Sequence, residues 1–251
     1  MSELNYSIIT VVKNNVNGIE KTIKSVLSQK GISYEYIVID GLSTDGTIEI
    51  IKKYDSKLTF VSKKDSGLYE ALNYAAKLSK GKYICIIHSD DEYTSDNVLR
   101  KQLDFLQTNL LDGCYSNFNI YNGKLLFRSW RFVVKKINKY KSFLIPHPTL
   151  VLKNEVYSKI QYNTQYKISS DLDFIIRLFD QTNINVSHFD FFTIKAQQGG
   201  LSTSFKNIIN RYKEDIIILK TYFPYHWILI FILKIVVKLN NFLYKRDTKK
   251  K

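Results

Sequence analysis

The first hundred residues alternate short β-branched runs with helical periods, and this alternation restricts the fold more than any other feature of the chain. Tyr6 to Val12 reads as a first strand. Ile19, Ile23, Val26 and Leu27 then recur at a helical period that stops at Gly31. Tyr36 to Ile39 reads as a second strand ending at Asp40, and Ile48 to Tyr54 as a second helix. Leu58 to Ser62 gives a third strand, with Asp65 just beyond it. A third helix, Gly67 to Leu78, carries Leu68, Leu72, Ala75 and Ala76 along one face, and Gly81 is expected to close it. Tyr83 to Ile87 is apolar without a helical period, as a strand buried on both faces is. Repeated strand–helix units of this length predict an α/β fold: a mostly parallel sheet with helices on both faces.

Three of these four strands stop at or near carboxylates: Asp40, Asp65, and the Asp90–Asp91 pair of HSDD. In open α/β sheets the carboxyl edge is where ligands bind. Adjacent aspartates repel each other, so a cation shared with a polyphosphate is one reason to place them together. Capping the next helix is the other. A carboxylate after the second strand can accept from a base N–H or a ribose hydroxyl. There is no GxxxxGK[ST], which excludes a P-loop. The turn after the first strand reads KNNVNG rather than GxGxxG, which argues against a dinucleotide site. Without a glycine-rich cradle, a bound diphosphate calls for a metal.

The second half changes character. Residues 95–107 read as another amphipathic helix, and Cys114 to Phe132 as strands turning at Asn122-Gly123. Phe127, Trp130 and Phe132 read as core or cleft wall. Ser169 and Ser170 can cap a helix holding Asp171 and Asp173, followed by a strand at 184–190 and a loop at Gly199-Gly200. His147, between two prolines in IPHPT, can touch acceptor or phosphate, or be a loop histidine bonded to backbone. Asp171 at a helix N-terminus is expected to have a depressed pKa. Cys85 and Cys114 form no metal spacing and read as reduced thiols of a cytosolic protein. The segment MSELNYSIITVVKNN has no basic-then-apolar pattern and reads as no signal peptide.

The formal net charge of +14 admits nucleic acid, an anionic membrane or phosphorylated substrates as partners. Carboxylates crowding one sheet edge would repel a nucleic-acid backbone, and no aromatic–basic stripe is present, so nucleic acid is not expected. Part of the charge lies in the tail, residues 223–244, FPYHWILIFILKIVVKLNNFLY, which Lys234 and Lys238 interrupt. On a helix Ile228, Ile232, Ile235, Val236, Leu239 and Leu243 share one face, and Lys234, Lys238, Asn241 and Lys245 another. That pattern suits a helix lying in a membrane interface. The final YKRDTKKK adds a polybasic cluster, each cation worth about 1 kcal/mol near an anionic leaflet. Docking on the protein's own core or on a second subunit is the competing reading.

Taken in order, SIITVVKN, YIVIDGLSTDGT, DSGLYEALN, GKYICIIHSDDEY, PHPT, SSDLDF and GGLS resemble bacterial family 2 glycosyltransferases with the GT-A fold. The likeness is to colanic-acid, O-antigen and capsule enzymes and runs from about residue 5 to about residue 205. It implies a nucleotide-sugar-binding half at 1–110, an acceptor-binding and catalytic half at 111–205, and a helical basic tail at 206–251. It implies inverting transfer from a nucleotide-diphosphate sugar, best a UDP-sugar, to a lipid-linked or saccharide acceptor at the inner face of the cell membrane. Asp40 matches a base- and ribose-contacting aspartate, Asp65 an aspartate near the nucleotide, and Asp171 the catalytic base. Ser89-Asp90-Asp91 falls at the DXD-like position, with Asp91 matching the contact to Mn²⁺ or Mg²⁺. The spelling HSDD is not D-x-D, which leaves open which aspartate meets metal and which ribose. A catalytically inactive sugar-nucleotide-binding subunit, or a basic nucleotidyl-transfer protein, are the alternatives.

Overall fold

The computed structural model describes residues 4–131, 137–199 and 205–243, with the side chains of 205, 206 and 240–243 set aside. Strands β1 (Tyr6–Val12), β2 (Tyr34–Asp40), β3 (Thr59–Ser62) and β4 (Tyr83–Ile86) run parallel. Helices α1 (Ile19–Leu27), α2 (Thr47–Lys52) and α3 (Leu68–Leu78) make the crossovers. Alternate residues of the paired strands go to opposite faces, and both faces are buried. Ile8, Val12, Tyr36 and Val38 pack on Ile19, Ile23 and Val26 of α1. Ile9, Ile37 and Ile39 pack on Leu72 and Ala75 of α3. That double burial explains why these strands read as unbroken apolar runs.

Beyond β4 the chain builds a mixed extension. Strand β5 (Glu92–Tyr93) and helix α4 (Val98–Thr108) lead to β6 (Gly113–Asn122) and β7 (Leu125–Trp130), which turn at Gly123 in a left-handed conformation, φ 59°. Strand β8 (Val151–Lys153), α5 (Asn154–Lys159), α6 (Ser170–Gln181) and β9 (Val186–Gln197) follow. The sheet has the order β3-β2-β1-β4-β8-β6-β9-β5, with β7 paired to β6. The short β8 is antiparallel to both β4 and β6 and so joins the parallel half to the rest. β9 is longer than the expected strand at 184–190, and its pairing with β6 is interrupted by register shifts around Asn117.

Gly81 does not close α3 in a left-handed turn. The helix ends in the extended Ser79, and a Cβ on Gly81 would lie 2.3 Å from the carbonyl carbon of Tyr6. The glycine is there because β1 passes over it.

Helices α7 (Phe205–Tyr222) and α8 (Trp227–Leu243) pack with α6 around Leu172, Ile176, Ile218, Leu219, Phe223 and Ile230. The lysine and isoleucine faces of α8 are separate, as the period implies, but the lysines turn inward. Lys234 forms an ion pair with buried Asp215 of α7 at 2.7 Å. Ile228, Leu229, Ile232, Leu233, Val236 and Leu239 are exposed, while Ile235 is half-buried. Phe132, Gly200, Lys245, the polybasic end and the Asn241 and Leu243 side chains lie outside the description.

Candidate active site

Asp40 ends β2 between Val12 of β1 and Ser62 of β3. Its carboxylate is fully buried. Oδ2 accepts from the Ser43 main-chain N–H at 3.0 Å and from the Ser62 hydroxyl at 2.8 Å. Oδ1 is buried with no hydrogen-bond partner among the described residues. Leaving such an atom unmade costs about 1–3 kcal/mol, so it suits a donor brought by a ligand. Asp65 lies beside it. Asp65 Oδ1 accepts from the Gly67 N–H at 3.0 Å, and Oδ2 stands 3.0 Å from where a Cβ on Gly41 would be. The Lys13 side chain comes within 3.3 Å of the same point.

The KNNVNG turn after β1 ties the separate strand ends into one rim. The Asn14 N–H donates to Ser43 Oγ at 2.8 Å, and its Oδ1 accepts from the Thr44 N–H at 2.8 Å. Asn14 itself is left-handed, φ 51°, a conformation that Asn tolerates. Asn15 Nδ2 donates to the Ser89 carbonyl at 2.7 Å and its hydroxyl at 3.0 Å. The exits of β2 and β4 are thereby fixed to each other.

Asp90 follows directly, half-buried over the start of α1, where a Cβ on Gly18 would stand 2.6 Å from its Oδ1. Burial raises its pKa, Lys21 works against this and Glu92 adds to it. Asp91 is only 5% exposed, and its pKa is pushed up to about 7. Burial is the main cause; a hydrogen bond from the Gln197 main chain opposes it, and Asp90 reinforces it. The pair does not cap the following helix: α4 starts at Val98, after Asn97. Among the described residues no three His, Cys, Asp or Glu side chains form a closed metal cage. One or two carboxylates with open coordination positions are nevertheless how Mg²⁺-type ions are held when phosphates supply the rest, and the buried Asp91 beside Asp90 fits that mode.

Asp171 lies in the first turn of α6. Neither expected serine caps this helix: Ser169 makes no capping bond, and Ser170 Oγ is buried without a partner among the described residues. Glu214 of α7 instead holds the main chain leading into the helix, accepting from the N–H groups of Lys167, Ile168 and Ser169 at 2.9, 2.9 and 2.8 Å. Asp171 Oδ1 accepts from the Leu172 N–H at 2.8 Å, with the Tyr69 hydroxyl 3.5 Å away. Its pKa is raised, not depressed. Burial is the leading cause, Lys234 opposes it, and Asp215 adds to it. Loss of water outweighs the helix-terminal N–H groups. Asp173, two residues on, points elsewhere. It is 1% exposed, ion-paired with Arg177 at 2.7 Å, and accepts from the Tyr222 hydroxyl at 2.9 Å.

His88 connects the two halves of the site. Its pKa is lowered to about 4 by burial and by His147, with Asp171 pulling the other way. The two imidazole rings are 6.2 Å apart. His147 is 7% exposed and its Nε2 lies 2.7 Å from the Tyr162 hydroxyl. Burial lowers its pKa to about 4. This ring is committed inward, to a phenol rather than to backbone. Asn14, Asn15, Tyr69, Glu214 and Lys234 were not singled out by sequence for this site. Only the asparagines carried a signal, since consecutive Asn at a strand exit favours side-chain-to-backbone bonds.

Comparison with known proteins follows the same lines. The curated UDP-Glc:alpha-D-GlcNAc-diphosphoundecaprenol beta-1,3-glucosyltransferase WfaP of Escherichia coli is 35% identical over 116 residues, covering 45% of this chain and 46% of its own. This chain spans between 15% and 66% of the length of the first curated relatives that it matches. S. aureus TarS 1–349 in complex with UDP-GlcNAc superposes with a TM-score of 0.69 at 19% identity, over 86% of this chain and 66% of that one. The mannosyltransferase PcManGT of Pyrobaculum calidifontis, in complex with GDP-Man and Mn²⁺, gives 0.63 at 15% identity, over 88% and 64%. These likenesses establish the fold as the expected GT-A type. The Glycosyl transferase family 2 model matches residues 7–185, which contain Asp40, Asp65, Asp90, Asp91 and Asp171, and the chain belongs to that family.

Proposed function

We propose that this protein transfers a sugar, with inversion, from a nucleotide-diphosphate donor to a lipid-linked or saccharide acceptor in surface polysaccharide synthesis. The observation that carries the reading is the joined rim: Asp40 with an unpartnered buried oxygen, Asp65 beside it, and Asp90–Asp91 tied in through Asn15. Asp40 and Asp65 receive the nucleoside, and Asp90 the ribose or the sugar. TarS with UDP-GlcNAc and WfaP with UDP-Glc favour a UDP-sugar, although PcManGT holds GDP-Man. Asp91, seconded by Asp90, would hold a Mn²⁺ or Mg²⁺, which when bound offsets charge on the departing diphosphate. The Mn²⁺ of PcManGT supports this assignment.

Asp171 is the general base. A raised pKa makes a carboxylate a better proton acceptor, provided that it remains ionised at working pH. The Leu172 N–H holds Oδ1, leaving Oδ2 for the acceptor hydroxyl. A single base opposite the leaving group gives inversion. Asp173 is already engaged by Arg177 and Tyr222 and is not a candidate.

The protein acts as a peripheral protein on the cytoplasmic face of the membrane. Six outward apolar side chains of α8 are between 42 and 57% exposed, more than a solvated helix offers to water without reason. No helix among the described residues is long and apolar enough to cross a membrane.

Calorimetric titration of UDP with and without Mn²⁺ tests the nucleotide site. Binding is expected, strengthened by metal, and the strengthening is expected to vanish in Asp91→Asn. Equal affinity with and without metal would remove the metal assignment, and no binding at all would remove the reading. An inactive subunit would bind nucleotide and sugar donor yet transfer nothing to any acceptor.

A further inference from the structure

The inward face of α8 meets β7 and α7 in a group of cations that the reaction scheme above leaves unused. Lys234 is ion-paired with Asp215, which is 1% exposed and whose second oxygen, Oδ1, is buried without a partner among the described residues. Lys238, one turn further on, is half-buried. Its pKa is lowered to about 8, first by burial and then by Arg211, Arg128 and Lys234, and Asp215 alone among the leading influences raises it. Arg128 of β7 is half-buried over the Trp130 ring, 5.1 Å from its centroid. Its Nε is buried with no hydrogen-bond partner among the described residues. Burial, followed by Arg211, lowers its pKa.

Lys234 thus pairs with Asp215, while Arg211 of α7, Arg128 of β7 and Lys234 all act on Lys238, and Lys234 acts on Asp171 as well. Like charges withdrawn from water destabilise one another. A guanidinium N–H left unpaired adds a further cost. The arrangement becomes favourable when an anion of more than one charge enters it, and Arg and Lys together suit phosphate oxygens.

We infer that Arg128, Arg211, Lys234 and Lys238 form the subsite for the diphosphate of a lipid-linked acceptor. This rests on the proposed transferase reading with Asp171 as base. Two neighbours make the acceptor, rather than the donor, the source of the anion. The cluster reaches the site from the Asp171 side, whereas the donor's diphosphate belongs to the Asp90–Asp91 rim. The opposite face of the same helix carries the exposed apolar row. A sugar at Asp171, a diphosphate at the cations and a hydrocarbon tail beside the apolar face follow the order of groups in such a molecule.

The test uses the full chain, with geranyl diphosphate and geraniol as acceptor probes and UDP with Mn²⁺ as the donor probe, all by calorimetry. Wild type is expected to bind geranyl diphosphate and not geraniol. The double variant Arg128→Gln/Lys238→Gln is expected to bind geranyl diphosphate about tenfold or more weakly, as loss of charged hydrogen bonds implies. Its UDP affinity should be unchanged, and its melting temperature equal or higher because repulsion is relieved. No preference for geranyl diphosphate over geraniol in wild type overturns the assignment. So does an equal loss of UDP affinity in the variant, which would give the cluster to the donor. Loss of binding to phosphatidylglycerol vesicles, with geranyl diphosphate binding intact, would make it a headgroup site and also overturn it. Failure of wild type to bind UDP would instead bring down the transferase reading itself.

Discussion

Asp171→Asn and Asp173→Asn separate a chemical carboxylate from a structural one two residues away. Asp173 accepts from Arg177 Nε at 2.8 Å through Oδ2 and from the Tyr222 hydroxyl at 2.9 Å through Oδ1. Its side chain is 2% exposed, and that of Arg177 16%. An amide in its place keeps one acceptor oxygen, sets an NH₂ against a donor, and leaves a shielded guanidinium without its counter-charge, bonded still to the Gln161 carbonyl. Breaking a buried pair in this way costs about 3–5 kcal/mol. For a chain of this size each kcal/mol moves the melting temperature by about 2–4 °C, so a fall of roughly 6–20 °C is expected. Asp171→Asn loses the attraction of Lys234 but also the penalty of holding a charge out of water near Asp215. Its melting temperature should therefore stay within about 2 °C of the parent. Transfer should fall about 10²–10⁴-fold, the contribution of a positioned base, with UDP affinity retained. Thermal unfolding followed by fluorescence, together with a radiolabelled sugar-transfer assay, reads both quantities. A stable, inactive Asp173→Asn alongside an active Asp171→Asn would refute the assignment of roles.

Three further outcomes follow from the site's geometry. Burial raises the pKa of Asp171 and the base works only when ionised, so kcat should fall as pH falls, with an acid limb above the ordinary aspartate value. A limb at about 4 in a pH–rate profile at saturating donor would contradict that burial. In Gly18→Ala the new Cβ would stand 2.6 Å from Asp90 Oδ1 and 2.7 Å from the Ser89 carbonyl oxygen. Displacing Asp90 should weaken donor binding about tenfold, or about 1.4 kcal/mol, by calorimetry, and unaltered affinity would take Asp90 out of the donor site. Leu229→Glu/Ile232→Glu alters only exposed positions, so its melting temperature should hold while co-sedimentation with anionic vesicles is lost. Retained sedimentation would count against the membrane role of α8.

What sequence revealed here depended on how local each cause was. The four parallel strands were visible because residues such as Ile8, Ile9, Val38 and Ile39 are buried on both faces, giving runs with no helical period. The carboxylates were visible because they sit where those runs stop. The three-residue β8 was not, since nothing within Val151–Lys153 says that it will lie antiparallel between β4 and β6. The pKa of Asp171 was misjudged because a helix start is read from neighbours, whereas burial is set by tertiary packing and the charges of Asp215 and Lys234 arrive on α7 and α8. Glu214, which pins the main chain leading into α6, is more than forty residues away in the chain. Periodicity told which residues of α8 travel together. It carried no sign for which side turns inward, because Asp215, the partner that draws Lys234 in, belongs to another helix.

Glu214 has a practical consequence for anyone seeking a better-behaved enzyme by trimming its greasy end. The carboxylate that pins the main chain at 167–169 and the lysine that steadies Asp171 both arrive on the helices such trimming would shorten or loosen. A clipped protein would lose the pin at 167–169 together with the cation near Asp171, so detergents, or point changes on the outer row of α8, are the safer route to a soluble preparation.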